Sequence, residues 1–371
     1  MDFFATAAKG TEGALRDELR ELRFRGVRAD RGGVHFFGDM DEGFRACIWL
    51  RVASRVLCKL SEFDAPVGEA LYEGVRDIDW APLFSPKHTL AVRAACRGSR
   101  LTHTQFIAQK SKDAIVDQLR ERWGSRPSVN LDNPDVTLFV HLVNDRATVY
   151  LDYAGEALHR RGYRTSAGEA PLKETLAAAV VRLSGWDCSM PLIDPMCGSG
   201  TIAIEAALWA YRIAPGLLRG TRCGFEKWAC HDDAAAKKTA DLCRSAKAQM
   251  LREGPEIWGF DADMEAILSA RENAKRAGVA LRFDRQSLHE FRPRPEAVMV
   301  VCNPPYGQRM EAPEQLGREL SEALSGCAKG SKIAVISGMP EFGRSLSLKR
   351  SKAPLVLYNG AIACELLRYE R

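Results

Sequence analysis

Asn303, Pro304, Pro305 and Tyr306 follow directly on the apolar run AVMVVC, and together they can hold an amino group. Two consecutive prolines impose an extended, rigid turn with few backbone donors and freely available carbonyls. The Asn303 amide oxygen and the Pro304 carbonyl can each accept one N–H of an exocyclic amine, while Tyr306 offers a flat face to a base. An aryl amine is a poor nucleophile because its lone pair is delocalised. Orienting that lone pair is therefore much of the catalytic task.

The second stretch with chemical content is LIDPMCGSGTIAIEAAL, residues 192 to 208. An apolar strand ends at Asp194, Gly198 and Gly200 make a turn, and a helix begins near Thr201. Glycines there let backbone N–H groups approach a ligand at the carboxyl end of a strand, where doubly wound sheets place their crevice. An acidic side chain closing the next strand would accept hydrogen bonds from ribose hydroxyls, and Asp261 in EIWGFDAD fits that position. It lies 61 residues beyond Gly200, far from the roughly 20 of a nicotinamide fingerprint. That spacing disfavours a dehydrogenase. The excess is an insertion, residues 211 to 255. Asp263 reads as the cap of the following helix. Cys197 and Cys302 adjoin the two motifs and read as pocket walls rather than reactive thiols.

The elements that position these residues are short apolar strands alternating with helices from about Leu172 onward: PLID, EIWGFD, VALRF, AVMVVC, KIAVISG, PLVLYN and AIACELLRY. Buried parallel strands covered by helices carry that signature. The last two, with no convincing helix between them, read as an antiparallel hairpin. Before residue 155 the rhythm differs. The first sixty residues read βαββαβ, ferredoxin-like in outline. A second set follows: a helix near Val67 to Val75, a strand at TLAVRAAC, a long helix from Thr104 to Arg122, and the strands VTLFVHLV and ATVYLDY joined by the turn pair Asn144 and Asp145. The expected divisions are 1–64, 65–155, a linker at 156–171, and 172–371.

The net charge of +5 is modest, but it is segregated. Nine Lys or Arg against three Asp or Glu lie between Lys87 and Arg126, Arg160, Arg161 and Arg164 cluster in LHRRGYR, and a third basic run spans Lys329 to Lys352. Three such clusters suit a polyanionic partner. No apolar run approaches the roughly 18 residues of a membrane span, and acidic residues come too early for a signal peptide. A cytoplasmic protein without a membrane partner is expected. Eleven scattered cysteines without a C-x-x-C pair predict reduced thiols. Cys223, Cys230, His231 and Cys243 match none of the usual zinc spacings, so no metal is expected.

DPMCGSGT followed by NPPYG, with LHRRGYR and APLKETLAAA upstream, resembles the THUMP-domain class I RNA methyltransferases, in particular the bacterial large-subunit rRNA guanine-N2 methyltransferases of the RlmL type. The resemblance spans nearly the whole chain. It implies an α/β protein whose Rossmann-like catalytic domain has a seven-stranded, mostly parallel sheet, preceded by a ferredoxin-like domain and an RNA-binding THUMP domain. The implied cofactor is S-adenosyl-L-methionine, held by Asp194, Pro195, Cys197, Gly198, Gly200, Thr201 and Asp261, with Asn303 at its edge. Where the family has an acidic residue at the adenine, this chain reads FDRQSL; Ser287 falls at that place, with Asp284 or Gln286 one small register shift away. Asn303, Pro304, Pro305 and Tyr306 would hold the base. Arg93, Arg97, Arg100, Lys110, Lys112, Arg160, Arg161 and Arg164 would contact RNA. A single modification of 23S rRNA is implied, since the chain ends after one catalytic domain; a monomer is expected.

Other functions compete. The same chemistry on tRNA is the nearest alternative, because THUMP enzymes of both kinds are similar. DNA adenine methylation also uses NPPY motifs, although the THUMP-like half argues against it. A non-catalytic RNA-binding assembly factor and a nicotinamide oxidoreductase are disfavoured by the intact motifs.

Overall fold

The computed structural model describes residues 1–164, 172–219, 223–292, 294–305 and 312–371. The first unit runs β1 (Asp2–Thr6), α1 (Glu12–Glu21), β2 (Arg25–Asp30), β3 (Gly33–Phe37), α2 (Met40–Trp49) and β4 (Arg55–Asp64). The second adds α3 (Gly68–Arg76), β5 (Thr89–Arg97), α4 (Thr104–Trp123), β6 (Ser128–Val129), β7 (Val136–Val143) and β8 (Arg146–Asp152). Asn144 and Asp145 take positive φ, 51° and 62°, as a two-residue hairpin turn between β7 and β8 demands.

The two units are one sheet. β4 pairs antiparallel with β8, so eight strands run in the order β2-β3-β1-β4-β8-β7-β5-β6. The helices bury the face that carries Phe3, Phe36, Cys58, Val140 and Leu151 in a common core. Residues at alternate positions, such as Phe4, Tyr150 and Arg93, are half-buried or exposed on the other face, as the period of two requires.

The catalytic half contains α5 (Glu174–Leu183), β9 (Leu192–Asp194), α6 (Thr201–Ala210), α7 (Asp233–Ala248), β10 (Ile257–Asp261), α8 (Met264–Ala277), β11 (Arg282–Arg285), β12 (Met299–Cys302), α9 (Pro313–Ser325), β13 (Lys332–Ser337), α10 (Pro340–Ser345), β14 (Arg350–Asn359) and β15 (Ile362–Glu370). Its seven strands are ordered β11-β10-β9-β12-β13-β15-β14. All neighbouring pairs from β11 to β13 are parallel, and β15 is antiparallel to both β13 and β14. The strand sequence reverses between β9 and β12. This switch point leaves a crevice beyond Asp194 and Asn303.

The insertion ahead of β10 docks on both the first and the second unit. Phe225 stacks on Phe44 with ring centroids 4.1 Å apart, Trp228 meets Tyr153 edge-on at 4.8 Å, and Lys238 pairs with Asp41 at 3.2 Å. No helix among the described residues is long and apolar enough to cross a membrane.

Candidate active site

β9 is only three residues long and fully buried, and it ends where Asp194 turns its carboxylate back onto the Met196 N–H at 3.2 Å. Gly198 and Gly200 then adopt φ of 53° and 81°, the left-handed region that a side chain resists. At Gly200 a Cβ would also meet Phe283 Cζ at 2.9 Å and Ala270 Cβ at 3.0 Å, whereas at Gly198 it would point into open space. Gly200 is thus fixed by packing from below. Gly198 is open on the side where a ligand would lie. The loop is tied further by the Cys197 N–H donating to the Phe260 carbonyl at 2.8 Å and the Asn273 amide donating to the Ser199 carbonyl at 3.0 Å.

Asp261 ends β10 beside this loop. Its Oδ2 accepts the Gly198 N–H at 2.8 Å and its Oδ1 the Asp263 N–H at 3.0 Å, which leaves each carboxylate oxygen a further lone pair for a ligand hydroxyl. Asp263 caps α8 by accepting the Glu265 N–H at 2.9 Å. Burial pushes the Asp194 carboxyl well above the usual carboxylate range, and the charge of Asp261 pushes it further, against the Met196 hydrogen bond. Two carboxylates converging on one loop favour a cationic ligand.

Across the switch point, β12 is buried throughout and delivers Asn303 to the same crevice. Among the described residues the buried Asn303 Oδ1 has no hydrogen-bond partner. A buried acceptor left unpaired costs about 1–3 kcal/mol, so this atom favours a donor beyond the described residues. Pro304 is buried and Pro305 exposed. Tyr306 lies outside the described residues. The thiols of Cys197 and Cys302 are both pushed well up, first by burial and then by the Asp194 charge. Neither is a thiolate nucleophile near neutral pH.

The Ser287 hydroxyl and N–H both donate to Glu290 Oε2, at 2.8 and 2.9 Å, in the manner of a capping motif. The exposed Asp284 pairs with Arg271 at 3.1 Å. Among the described residues no group of three or more His, Cys, Asp or Glu side chains gathers as metal ligands would.

The LHRRGYR cluster needs correction. Arg161 is 2% exposed: it pairs with Glu205 at 3.4 Å and donates to the Leu158 carbonyl at 2.7 Å and to the Arg51 carbonyl. The Tyr163 hydroxyl donates to the same Glu205 at 3.1 Å. Arg161 therefore joins the first domain to α6 and cannot reach RNA phosphates. Arg164 is also turned inward, donating to the Thr201 Oγ1 at 2.8 Å and the Leu172 carbonyl at 3.0 Å beside Glu174. It braces the first residue of α6 instead of facing solvent. Only Arg160 is exposed, paired with Glu156 at 2.7 Å. Of the earlier basic run, Arg93 and Arg97 are exposed on β5, Arg100 is exposed beside Asp145, and Lys110 and Lys112 are half-buried beside Glu69 and Asp113.

Reading from the sequence missed Asn273 and Glu205. A lone glutamate inside the apolar helix IAIEAAL is a legible sign of a buried cation partner. Asn273, in a polar helix, carries no such sign.

Residues 161–368 match the RMKL-like methyltransferase domain, residues 68–152 the THUMP domain, and residues 2–57 the RlmL ferredoxin-like domain. Over its whole length the chain is 44% identical to a ribosomal RNA large subunit methyltransferase K/L of Methylococcus capsulatus and 41% identical to that of Syntrophotalea carbinolica. It spans about half the length of these relatives, 51% and 53%. A solved methyltransferase complexed with SAH is 30% identical with a TM-score of 0.88, covering 100% of this chain and 97% of that one. A predicted N6-adenine-specific DNA methylase from Listeria monocytogenes is 31% identical with a TM-score of 0.87, covering 99% and 95%. TrmN from Thermus thermophilus shares the fold, with a TM-score of 0.73 at 21% identity over 100% of this chain and 99% of TrmN. The chain belongs to the RMKL-like methyltransferase family, and carries an RlmL-type ferredoxin-like domain and a THUMP domain ahead of a class I methyltransferase fold.

Proposed function

We propose that this protein transfers a methyl group from S-adenosyl-L-methionine to the exocyclic N2 amine of a guanine in 23S rRNA. The observation that carries the reading is the buried Asn303 Oδ1, without a partner among the described residues, across the crevice from a loop bearing two carboxylates. The family membership and the large-subunit rRNA enzymes among the relatives support the substrate.

The residues fit the cofactor. Asp194 would meet its cationic methionine end, Gly198 lets it approach the backbone, and Asp261 would accept its ribose hydroxyls. When bound, S-adenosylmethionine supplies an electrophilic methyl on a sulfonium. Asn303 would accept one N–H of the target amine and the Pro304 carbonyl the other, which would hold the amine lone pair in a fixed direction. The cofactor would supply the methyl with its S–C electron pair staying on sulfur, the amine nitrogen would take it, and one amine proton would leave to water. No covalent enzyme intermediate is required, in keeping with the raised thiols of Cys197 and Cys302. A base must leave its stack to reach Asn303, which costs least in an unpaired loop or bulge.

The same acceptor would serve the N6 amine of adenine, the chemistry named for the Listeria relative. Digestion of rRNA after reaction, with nucleosides identified by mass spectrometry, tests the assignment. N2-methylguanosine is expected, and N6-methyladenosine would move the target to adenine.

A further inference from the structure

The cleft between the first domain and the start of the catalytic domain is not used by the site described above. It has a volume of about 260 Å³, and its walls include Lys9 and Ser54 from the first domain, Lys173 and Thr175 at the start of α5, and Tyr358 and Gly360 at the β14–β15 turn.

Three observations give this cleft a role. First, it opens on the same edge as the active site. β14 runs parallel to β12 and β9, since both it and β13 are antiparallel to β15, so its end shares an edge with Asp194 and Asn303. Arg164 confirms the proximity from the other wall. One of its nitrogens bridges the Leu172 carbonyl, next to Lys173, and the Thr201 hydroxyl at the end of the glycine loop.

Second, the cleft is positive. Its lining contains two lysines and no carboxylate, and neither lysine has an ion-pair partner among the described residues. Nearby, His159 is held down to about 4 by burial and then by Lys173, Arg160, Arg161 and Arg55. Third, the cleft is built rather than incidental. Lys9 sits 4.2 Å over the Tyr358 ring, and at Gly10 a Cβ would collide with the Val356 carbonyl oxygen at 2.1 Å. The turn that carries Lys9 is therefore seated directly on β14.

We propose that this cleft is a backbone subsite for the substrate strand, in which Lys9 and Lys173, one from each domain, hold a phosphodiester flanking the nucleotide whose base reaches Asn303. This assignment rests on the RNA-methyltransferase reading and adds to it a contact that couples the position of the first domain to catalysis. A phosphate held at this edge sets strand register without reading sequence.

The test is the Lys9→Ala, Lys173→Ala double variant of the full chain, assayed with 23S rRNA at several salt concentrations. Losing the contact to one phosphate of a single strand should make the log–log salt slope of RNA binding shallower by about 0.7 and weaken binding by about tenfold at low salt. The double arginine replacement should restore both. S-adenosylhomocysteine affinity should be unchanged. Lys237→Ala with Lys247→Ala, an equal loss of charge on the exposed side of α7, should leave the slope as it was. An unchanged slope in the Lys9 and Lys173 variant, or a slope equally reduced in the control, overturns the assignment. A fall in S-adenosylhomocysteine affinity also overturns it, by placing Lys173 on the cofactor. If the wild-type protein methylates no RNA, the broader reading fails first and the subsite falls with it.

Discussion

Asn303→Ala should separate chemistry from both folding and cofactor binding. Oδ1 is buried without a partner among the described residues, a condition that costs about 1–3 kcal/mol. Alanine removes that cost and gives up the packing of a small amide, a loss of similar size and opposite sign. Stability should therefore change by less than about 1.5 kcal/mol, a melting shift of no more than about 5 °C for a domain of this size. Turnover should behave differently. Removing one oriented polar contact from a water-excluded site costs roughly 2.7–4 kcal/mol at the transition state, so kcat should fall about 10²- to 10³-fold. The assays are thermal melting, calorimetric titration with S-adenosylhomocysteine, and single-turnover transfer to rRNA. Cofactor affinity should stay within about twofold, less than 0.5 kcal/mol. A loss of cofactor affinity equal to the loss of turnover would refute the division of labour between Asn303 and the glycine loop.

Other perturbations bear on the remaining parts. Asp261→Ala should weaken S-adenosylhomocysteine binding by about 1.5–3 kcal/mol, the worth of charge-assisted ribose bonds; an unchanged dissociation constant would remove it from the cofactor. Arg161→Ala leaves Glu205 buried without its cation and should destabilise the protein by about 3–5 kcal/mol while leaving the salt slope of RNA binding intact; a flattened slope at unchanged stability would put Arg161 back on the RNA surface. The raised Asp194 carboxyl means that the folded chain holds this proton more tightly than the unfolded chain. Its unfavourable contribution is absent below the ordinary carboxylate range, grows as pH rises through the raised value, and is complete above it. The D194N variant without ligand should thus melt higher than wild type at pH 8, with the advantage shrinking as pH falls. A pH-independent difference would mean that Asp194 titrates normally.

Most strands of the catalytic domain were legible because each is a short apolar run, and β9 and β12 reached the crevice where their terminal residues implied. What escaped was tertiary. β2 is almost wholly exposed and bears no apolar pattern, so only the βαββαβ order, and no apolar run of its own, pointed to it. The pairing of β4 with β8, which merges two units into one sheet, is a long-range contact with no local cue. LHRRGYR looks like a solvated basic patch until Glu205 and Glu174 are seen to bury two of its arginines. Ser287 and Glu290 form an S-x-x-E capping pattern in plain view; that local role engages the hydroxyl assigned to the adenine, because the resemblance aligned the position without regard to its neighbours. The Tyr306 half of the base site lies outside the described residues.

The central claim is methyl transfer to large-subunit rRNA, and its most direct test offers labelled S-adenosylmethionine to the protein with protein-free 23S rRNA, bulk tRNA and duplex DNA in parallel. The account predicts label in the rRNA alone, recovered as N2-methylguanosine and abolished in the Asn303→Ala variant. Label in tRNA or DNA instead, or in rRNA at an adenine, would contradict it.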